Sequence, residues 1–328
     1  MKKNFFLILK IVISVGILYF LFRGMDLNAF VETVSKIKPI SIVIAVVVIF
    51  TIQCISTLRW KLLLKKDFDA SYFKLFSMYL IGMFFNNFLP TLVGGDLIKT
   101  YYLYKQTGKG SVALASIFLD RYAGFTALIF NTVIALIFGY YLLEGTGLMG
   151  FFLILVAGYV CASLVIWVDF MHRWAMSIMS KIHMYGINHK IDEFYKVLMG
   201  YKGHMMAFYK AFGLSIIIQA GVVLAYFALG WGIGMKLSVG YYFLFVPLAT
   251  VASMVPISLA GLGVREGIFI YLFTKAGASQ EEALSLSLLF FFATLIVSVL
   301  GGIEYVRIGG KKAMEGSEDM EVSMDTND

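Results

Sequence analysis

The sequence predicts an all-α integral membrane protein with about six transmembrane helices and two re-entrant broken-helix hairpins in an inverted repeat. The first observation is composition: the 328 residues are 60% hydrophobic and only 14% charged, whereas soluble domains are about half apolar and a quarter charged. The second is that several apolar runs are long enough, or nearly so, to cross a hydrocarbon core of about 30 Å. The third is a pair of apolar stretches, each interrupted by proline and glycine and then followed by a basic residue.

Six apolar segments without such interruptions are the predicted spans. Their approximate bounds are 4–22, 40–58, 112–142, 148–168, 208–233 and 283–305. The first follows Met1-Lys2-Lys3, as a secretory signal would. No small-residue cleavage site follows it, so we expect a retained span.

The basic residues predict how the chain is oriented. The net charge of +7 comes mostly from lysines and arginines between spans, where they set orientation, so we expect no nucleic-acid partner. All basic loops lie on the cytoplasmic side of a cell (inner) membrane if both termini are cytoplasmic and the hairpins 72–106 and 240–275 do not cross. In the competing topology 72–90 is a full span, which would place the basic segment 169–207 outside.

The two interrupted stretches, 88–105 and 254–271, align with each other. The matches are Pro90 with Pro256, Gly95 with Gly261 and Lys99 with Arg265, at an offset of 256 − 90 = 166. The helix breaks are assigned to Pro90, Gly94, Gly95, Pro256, Gly261 and Gly263. Such a repeat with opposite orientations of its halves is the plan of many secondary transporters, whose broken helices meet near the midplane. Proline-glycine breaks are also ordinary kinks in membrane helices, which is the alternative.

The repeat divides the chain into two membrane units and a tail. The first unit is 1–142, with three spans and the hairpin 72–106. The second is 143–308, with three spans, the hairpin 240–275 and the cytoplasmic segment 169–207. Residues 309–328 are polar and acidic, a composition typical of disorder.

Lys99 and Arg265 are the candidate ligands of a lipid phosphate. We expect a half-helix to start near residue 97 and another near 263, with each cation in the first turn. A cation there has the wrong sign for the helix dipole, and burying a charge in the membrane costs about 3 kcal/mol. An anion bound between them would offset both costs. In the alternative, the two cations pair with Asp96 and Glu266.

A further charged pair, Asp120-Arg121, lies within the third span. Adjacent helical residues point about 100° apart, so these two are expected to pair with other helices. Arg121 would either join the anion site or neutralise Asp96. Asp120 could instead be a proton or cation site.

No catalytic motif is recognisable. The sequence contains no Walker loop, nucleophile elbow or kinase pattern, and its four histidines lack metal-binding spacing. Cys54 and Cys161 lie within predicted spans, where cysteine behaves as a small hydrophobe. We therefore predict no catalytic residues, no metal and no cofactor.

Three segments carry a resemblance to a known family: NNFLPTLVGGDLIKTYYLYK (86–105), LDRYAGF (119–125) and SMVPISLAGLGVREG (253–267). They resemble the lysylphosphatidylglycerol synthase transmembrane region family, also called flippase-like domain proteins, over roughly residues 5–310. In that family the membrane domain of the multiple peptide resistance factor moves aminoacylated phosphatidylglycerol between leaflets, and other members are linked to polyisoprenoid-phosphate carriers. The soluble synthase domain has no counterpart in this sequence, so the resemblance implies that synthase activity is absent.

Together these observations predict a flippase-like transporter of an anionic, phosphate-bearing lipid. Lys99, Arg265 and Arg121 would hold the phosphate, and Asp96, Asp120 and Glu266 would be pathway or ion-pair residues. Two alternatives stay open. One is a membrane-embedded lipid transferase with one of those carboxylates as its base. The other is a subunit that anchors a separately encoded lipid-modifying enzyme.

Overall fold

The described part of the chain is helical. The computed structural model describes residues 26–64, 70–88, 94–108, 110–145, 147–180, 195, 198–200, 205–255, 261 and 263–308, with positions 16, 17, 19 and 23. The helices are α1 (Leu27–Ser35), α2 (Pro39–Leu63), α3 (Tyr72–Phe88), α4 (Gly94–Thr107), α5 (Gly110–Phe138), α6 (Tyr140–Leu143), α7 (Leu148–Trp167), α8 (Asp169–Ser180), α9 (Met205–Gly232), α10 (Val239–Ser253), α11 (Val264–Lys275) and α12 (Gln280–Ile308). No strand occurs among these residues.

Five of the helices, α2, α5, α7, α9 and α12, are long and apolar enough to cross a membrane. They coincide with the second to sixth predicted spans. The prediction of an all-α, multi-pass membrane protein is confirmed. The predicted first span, 4–22, lies outside the described residues except for three positions, as does the whole predicted tail, 309–328.

Both interrupted stretches form a pair of helices that pack against each other, α3 with α4 and α10 with α11. Pro90 and Pro256, the predicted break residues, lie outside the described residues. Gly94 and Gly95 open α4, whereas Gly261 and Gly263 precede α11 with φ of +79° and +87°. Glycine suits these two positions because other residues rarely adopt positive φ.

The predicted start of α4 near residue 97 is wrong by three residues. The helix begins at Gly94, which puts Asp96 in the first turn and Lys99 in the second. In the second hairpin α11 begins at Val264, so Arg265 is in the first turn together with Glu266. Each half-helix therefore has a carboxylate near its N-terminus, where the dipole favours a negative charge.

The helix bounds follow the offset of 166 found in the sequence. That shift carries 39–63 onto 205–229, where α9 spans Met205–Gly232. It carries 72–88 onto 238–254, where α10 spans Val239–Ser253. The helix contacts also correspond at this offset, which carries α3 onto α10 and α5 onto α12. The helix α3 contacts α12, and its counterpart α10 contacts α5. These features are the ones that a two-fold repeat predicts.

The largest interface joins α2 to α9, the helices that are equivalent under this offset. At one end the Lys38 amide donates to the Gly232 carbonyl at 3.0 Å. At the other end the Arg59 side chain donates to Ser215 Oγ at 2.9 Å. The two helices are thus antiparallel, as equivalent helices of an inverted repeat must be.

The helix α7 lies at the edge of the bundle. Only 6% of the residues in its most apolar segment are buried. It contacts α5 through a hydrogen bond between Thr126 and Tyr159, 2.5 Å apart, and through the stacked rings of Tyr122 and Tyr159. Its apolar exposed face is what a helix in lipid requires.

Candidate functional site

A polar cavity of about 350 Å³ lies where the two predicted units meet. Seven helices supply its walls, namely α2, α3, α4 and α5 from the first unit and α9, α10 and α12 from the second. Within the described part of the chain its charged lining residues are all cations: Arg59, Lys99 and Arg121. The other polar lining consists of amides and hydroxyls.

Asp96 stands behind this cavity and binds two of the cations. Lys99 Nζ lies 2.8 Å from its Oδ1, and the Arg121 guanidinium donates to both of its oxygens, at 2.7 and 3.0 Å. The two cations differ in exposure, because 42% of the Arg121 side chain is accessible against 3% of Lys99. Lys99 also lies over the rings of Tyr79 and Trp60, 4.5 and 5.5 Å from their centroids. Arg121 is consequently the cation best placed to meet a molecule in the cavity.

Asp120 belongs to a second charged network, in which Asp120 itself is fully buried. Arg59 Nε donates to its Oδ1 at 2.8 Å, and the Tyr79 hydroxyl donates to its Oδ2 at 3.2 Å. The Arg59 guanidinium also donates to Ser215 on α9. Each oxygen of this carboxylate therefore has a donor, and Asp120 does not line the cavity. Of the two roles predicted for Asp120, the geometry favours an ion pair over a proton or cation site.

The charges of this region do not cancel. Three cations, Arg59, Lys99 and Arg121, face two carboxylates, Asp96 and Asp120. One positive charge therefore remains in this cluster, and Arg121 is its most exposed cation. A net charge inside a membrane protein is costly unless a partner neutralises it.

Two glutamines face the cavity from equivalent positions. Gln53 on α2 and Gln219 on α9 are separated by the repeat offset of 166, and both line the cavity. Neither side-chain amide makes a hydrogen bond to another described residue. Each offers a donor and an acceptor to a bound molecule.

An apolar groove of about 360 Å³ adjoins the polar cavity. It shares Phe125, Leu128 and Met254 with the cavity, and Leu155 and Tyr159 of the peripheral helix α7 contribute to its other wall. The polar cavity thus adjoins an apolar groove that reaches a helix at the edge of the bundle.

Arg265 is not brought together with Lys99 and Arg121. Its guanidinium donates to Glu266 Oε1 at 2.6 and 2.9 Å and to Ser287 at 3.0 Å, and it lies over the Phe291 ring. It does not line the polar cavity. Glu266 is fully buried and also accepts from the Gly263 amide at 2.7 Å. These contacts are those of the alternative in which the basic residues pair with neighbouring carboxylates.

Sequence reasoning missed Arg59. It was assigned to a basic loop after the second span. In the structure α2 continues to Leu63, and Arg59 is buried, with 5% of its surface exposed. Asp120 explains the difference, because a buried carboxylate inside a span requires a cationic partner. That requirement was the signal available in the sequence, although only the fold identifies the partner.

Comparisons with known proteins agree with this architecture. The sequence pattern of the lysylphosphatidylglycerol synthase TM region matches residues 7–302. Two proteins of Methanothermobacter thermautotrophicus, both described as UPF0104 membrane proteins, are similar to the chain. One is 23% identical over 76% of this chain and 80% of its own length, and the other is 26% identical over 75% and 77%. A UPF0104 membrane protein of Methanocaldococcus jannaschii is 24% identical over 44% of this chain and 42% of its own length.

No solved structure matches the chain. The family pattern, in contrast, covers both hairpins, the Asp120-Arg121 segment and the helices that form the polar cavity. The chain belongs to the lysylphosphatidylglycerol synthase TM region family of membrane proteins.

Proposed function

We propose that the chain moves an anionic, phosphate-bearing lipid between the leaflets of a cell membrane. The observation that carries the proposal is the pairing of a cationic cavity with an apolar groove. Lys99 and Arg121 lie on the cavity side, and the groove begins at Phe125, one helical turn further along α5. A phospholipid or a polyisoprenoid phosphate has the same two parts.

In this proposal the phosphate binds to the Arg121 guanidinium, whose planar fork suits phosphate oxygens. Lys99, which is more deeply buried in the cavity wall, adds a second positive charge near the phosphate. Gln53 and Gln219 hydrogen-bond the remainder of the headgroup, whether it is aminoacylated or not. The acyl or isoprenoid chains follow the apolar groove beside α7 and stay in contact with the bilayer. Arg265 stays a predicted ligand, on the strength of its equivalence to Lys99 alone.

The contacts favour transport over the transferase alternative. Each carboxylate proposed as a general base already accepts hydrogen bonds from a cation: Asp96 from Lys99 and Arg121, Asp120 from Arg59, and Glu266 from Arg265. An ion pair with a cation stabilises the ionised carboxylate, which makes it a weaker base.

Reconstitution tests the proposal. The full chain is inserted into liposomes that contain fluorescently labelled phosphatidylglycerol, and transfer between leaflets is followed by quenching of the outer label. We expect Arg121→Gln to slow the transfer about ten- to a hundredfold, because a charge-assisted hydrogen bond to an anion contributes about 1.5–3 kcal/mol. Arg121→Lys keeps the charge without the fork and should be intermediate.

The design keeps folding separate from function. Asp96 retains Lys99 as a partner in Arg121→Gln, so no buried carboxylate is left unpaired. Unchanged transfer in a well-folded Arg121→Gln protein would contradict the proposal. A change in the mass of the lipid would indicate a transferase, and no transfer by the unmodified chain would favour the subunit alternative.

A further inference from the structure

A second cavity, of about 500 Å³, lies away from the polar cavity, at one end of the helix bundle. The first turns of α3, the last turns of α4 and the C-terminus of α12 form it. We call it the basic cleft. Its lining residues are Phe73, Lys74, Ser77, Met78, Tyr102, Lys105, Arg307 and Ile308. By the distribution of basic residues this end faces the cytoplasm.

In the described part of the chain, the cations of the basic cleft outnumber the carboxylates that contact them. Three cations line it, and the carboxylate that contacts them in the described residues is Glu304, which binds Arg307 at 2.6 Å. Lys74 and Lys105 are exposed and have no ion pair within the described part of the chain. Two positive charges therefore remain without an ion pair among the described residues.

Helix dipoles explain only part of this arrangement. Lys105 and Arg307 lie in the last turns of their helices, where cations are favourable. Lys74 lies in the first turn of α3, where a cation is unfavourable. The dipole of α3 therefore does not account for a cation at this position.

The basic cleft also has an unused hydrogen-bonding group and an apolar side. The Tyr102 hydroxyl is buried and has no hydrogen-bond partner within the described residues. Phe73, which is 77% exposed, and Ile308 lie beside the cations. A phosphate would meet the lysines and the hydroxyl, while the chains attached to it would cover the phenylalanine. Basic pockets between transmembrane helices on the cytoplasmic side bind anionic lipid headgroups in this way.

We infer that the basic cleft is a second lipid site, which holds the phosphate of an anionic lipid of the cytoplasmic leaflet through Lys74 and Lys105. The site is separate from the polar cavity, because the two share no lining residue. Its occupancy does not depend on the transport proposed above.

Site-specific photocrosslinking of the full chain in nanodiscs tests this inference. The probe p-benzoylphenylalanine replaces Phe73, and the crosslinked product is identified by mass spectrometry. We expect crosslinking to phosphatidylglycerol and much less to phosphatidylcholine. The same probe in place of Phe138, which is also exposed but lies at the far end of α5, should show no such preference.

Charge variants identify the ligating residues. Lys74→Gln combined with Lys105→Gln should raise the phosphatidylglycerol concentration for half-maximal crosslinking about thirtyfold, since each cation near the surface contributes about 1 kcal/mol. The matched control combines Lys236→Gln with Lys275→Gln, two exposed lysines of the opposite predicted face, and should leave crosslinking unchanged. Arg121→Gln should also leave it unchanged.

Three results would overturn the inference. They are equal crosslinking of both lipids at Phe73, insensitivity to the Lys74/Lys105 pair of changes, and full displacement of the lipid by millimolar inorganic phosphate. The last would show a site for free phosphate. Failure of the transport proposal is read separately, from transfer between leaflets in Arg121→Gln.

Discussion

Arg59 and Asp120 form the most deeply buried ion pair in the described part of the chain, with 7% and 0% of their side chains exposed. The pair is completed by Tyr79 and Ser215, so residues of α2, α3, α5 and α9 meet in one network. Such a pair contributes little by its presence, yet removing one partner is costly because the other is left as an isolated buried charge. We therefore expect this network to hold the four helices together around the cavity.

Replacement of Arg59 tests this role. We expect Arg59→Gln to lower the free energy of unfolding by about 3–5 kcal/mol, the range for breaking a buried pair. The measurement is thermal unfolding in detergent. Lys36→Gln, which removes one partner of an exposed pair with Glu32, should change stability by less than about 1 kcal/mol. Equal effects of the two changes would contradict a structural role for the network.

Glycine sets the distance between the two helices of the first hairpin. A Cβ at Gly95 would overlap the backbone carbonyl of Gly82 on α3 and approach Asn86, whose side chain accepts from the Gly95 amide at 2.9 Å. The lack of a side chain at position 95 lets α4 approach α3 closely. Lys99 on the same helix therefore reaches the cavity, with Asp96 behind it.

We expect Gly95→Ala to force α3 and α4 apart, lowering both the unfolding temperature and the rate of lipid transfer. Gly267→Ala on α11 is the matched control, because nothing lies within 4 Å of a Cβ there. In the interior of a helix this change should stabilise by about 1 kcal/mol. If Gly95→Ala were as well tolerated as Gly267→Ala, the close packing of the hairpin would not matter for function.

At the scale of the whole molecule, the helix bounds and the helix contacts of the two predicted units correspond at the offset of 166. The helices α2 and α9 run antiparallel. The first helix of each hairpin packs against the last long helix of the other predicted unit, α3 against α12 and α10 against α5. Two units with opposite orientations would follow from this arrangement. The polar cavity at their junction would then open to either side as one half moves against the other.

Accessibility of single cysteines tests the orientation of the halves. In a background with Cys54 and Cys161 replaced by alanine, Glu144→Cys and Lys236→Cys should react with a membrane-impermeant reagent added outside. Phe68→Cys and Lys190→Cys should react only after the membrane is opened. Labelling of position 190 from outside would contradict the inverted topology, since the first hairpin would then cross the membrane.

Several features of the fold could be predicted from the sequence because they depend on local composition. The length of each apolar run is what a helix needs to satisfy its backbone in lipid, so the spans from 40 onward were predictable. The offset of 166 was visible in Pro90, Gly95 and Lys99 and their matches. That Asp120 and Arg121 pair with other helices followed from their 100° separation, and both do so.

Tertiary structure decided which charges meet. Lys99 and Arg265 look equivalent in sequence, yet Lys99 lines the cavity with Arg121, whereas Arg265 binds its neighbour Glu266. Arg59 looks like a loop residue, yet it is buried against Asp120. Helix periodicity determines which residues share a face. The partner of a buried charge lies instead on another helix. It is 61 residues away in sequence for Arg59 and 25 residues away for Arg121. Only the packing of the helices brings each charge and its partner within hydrogen-bond distance.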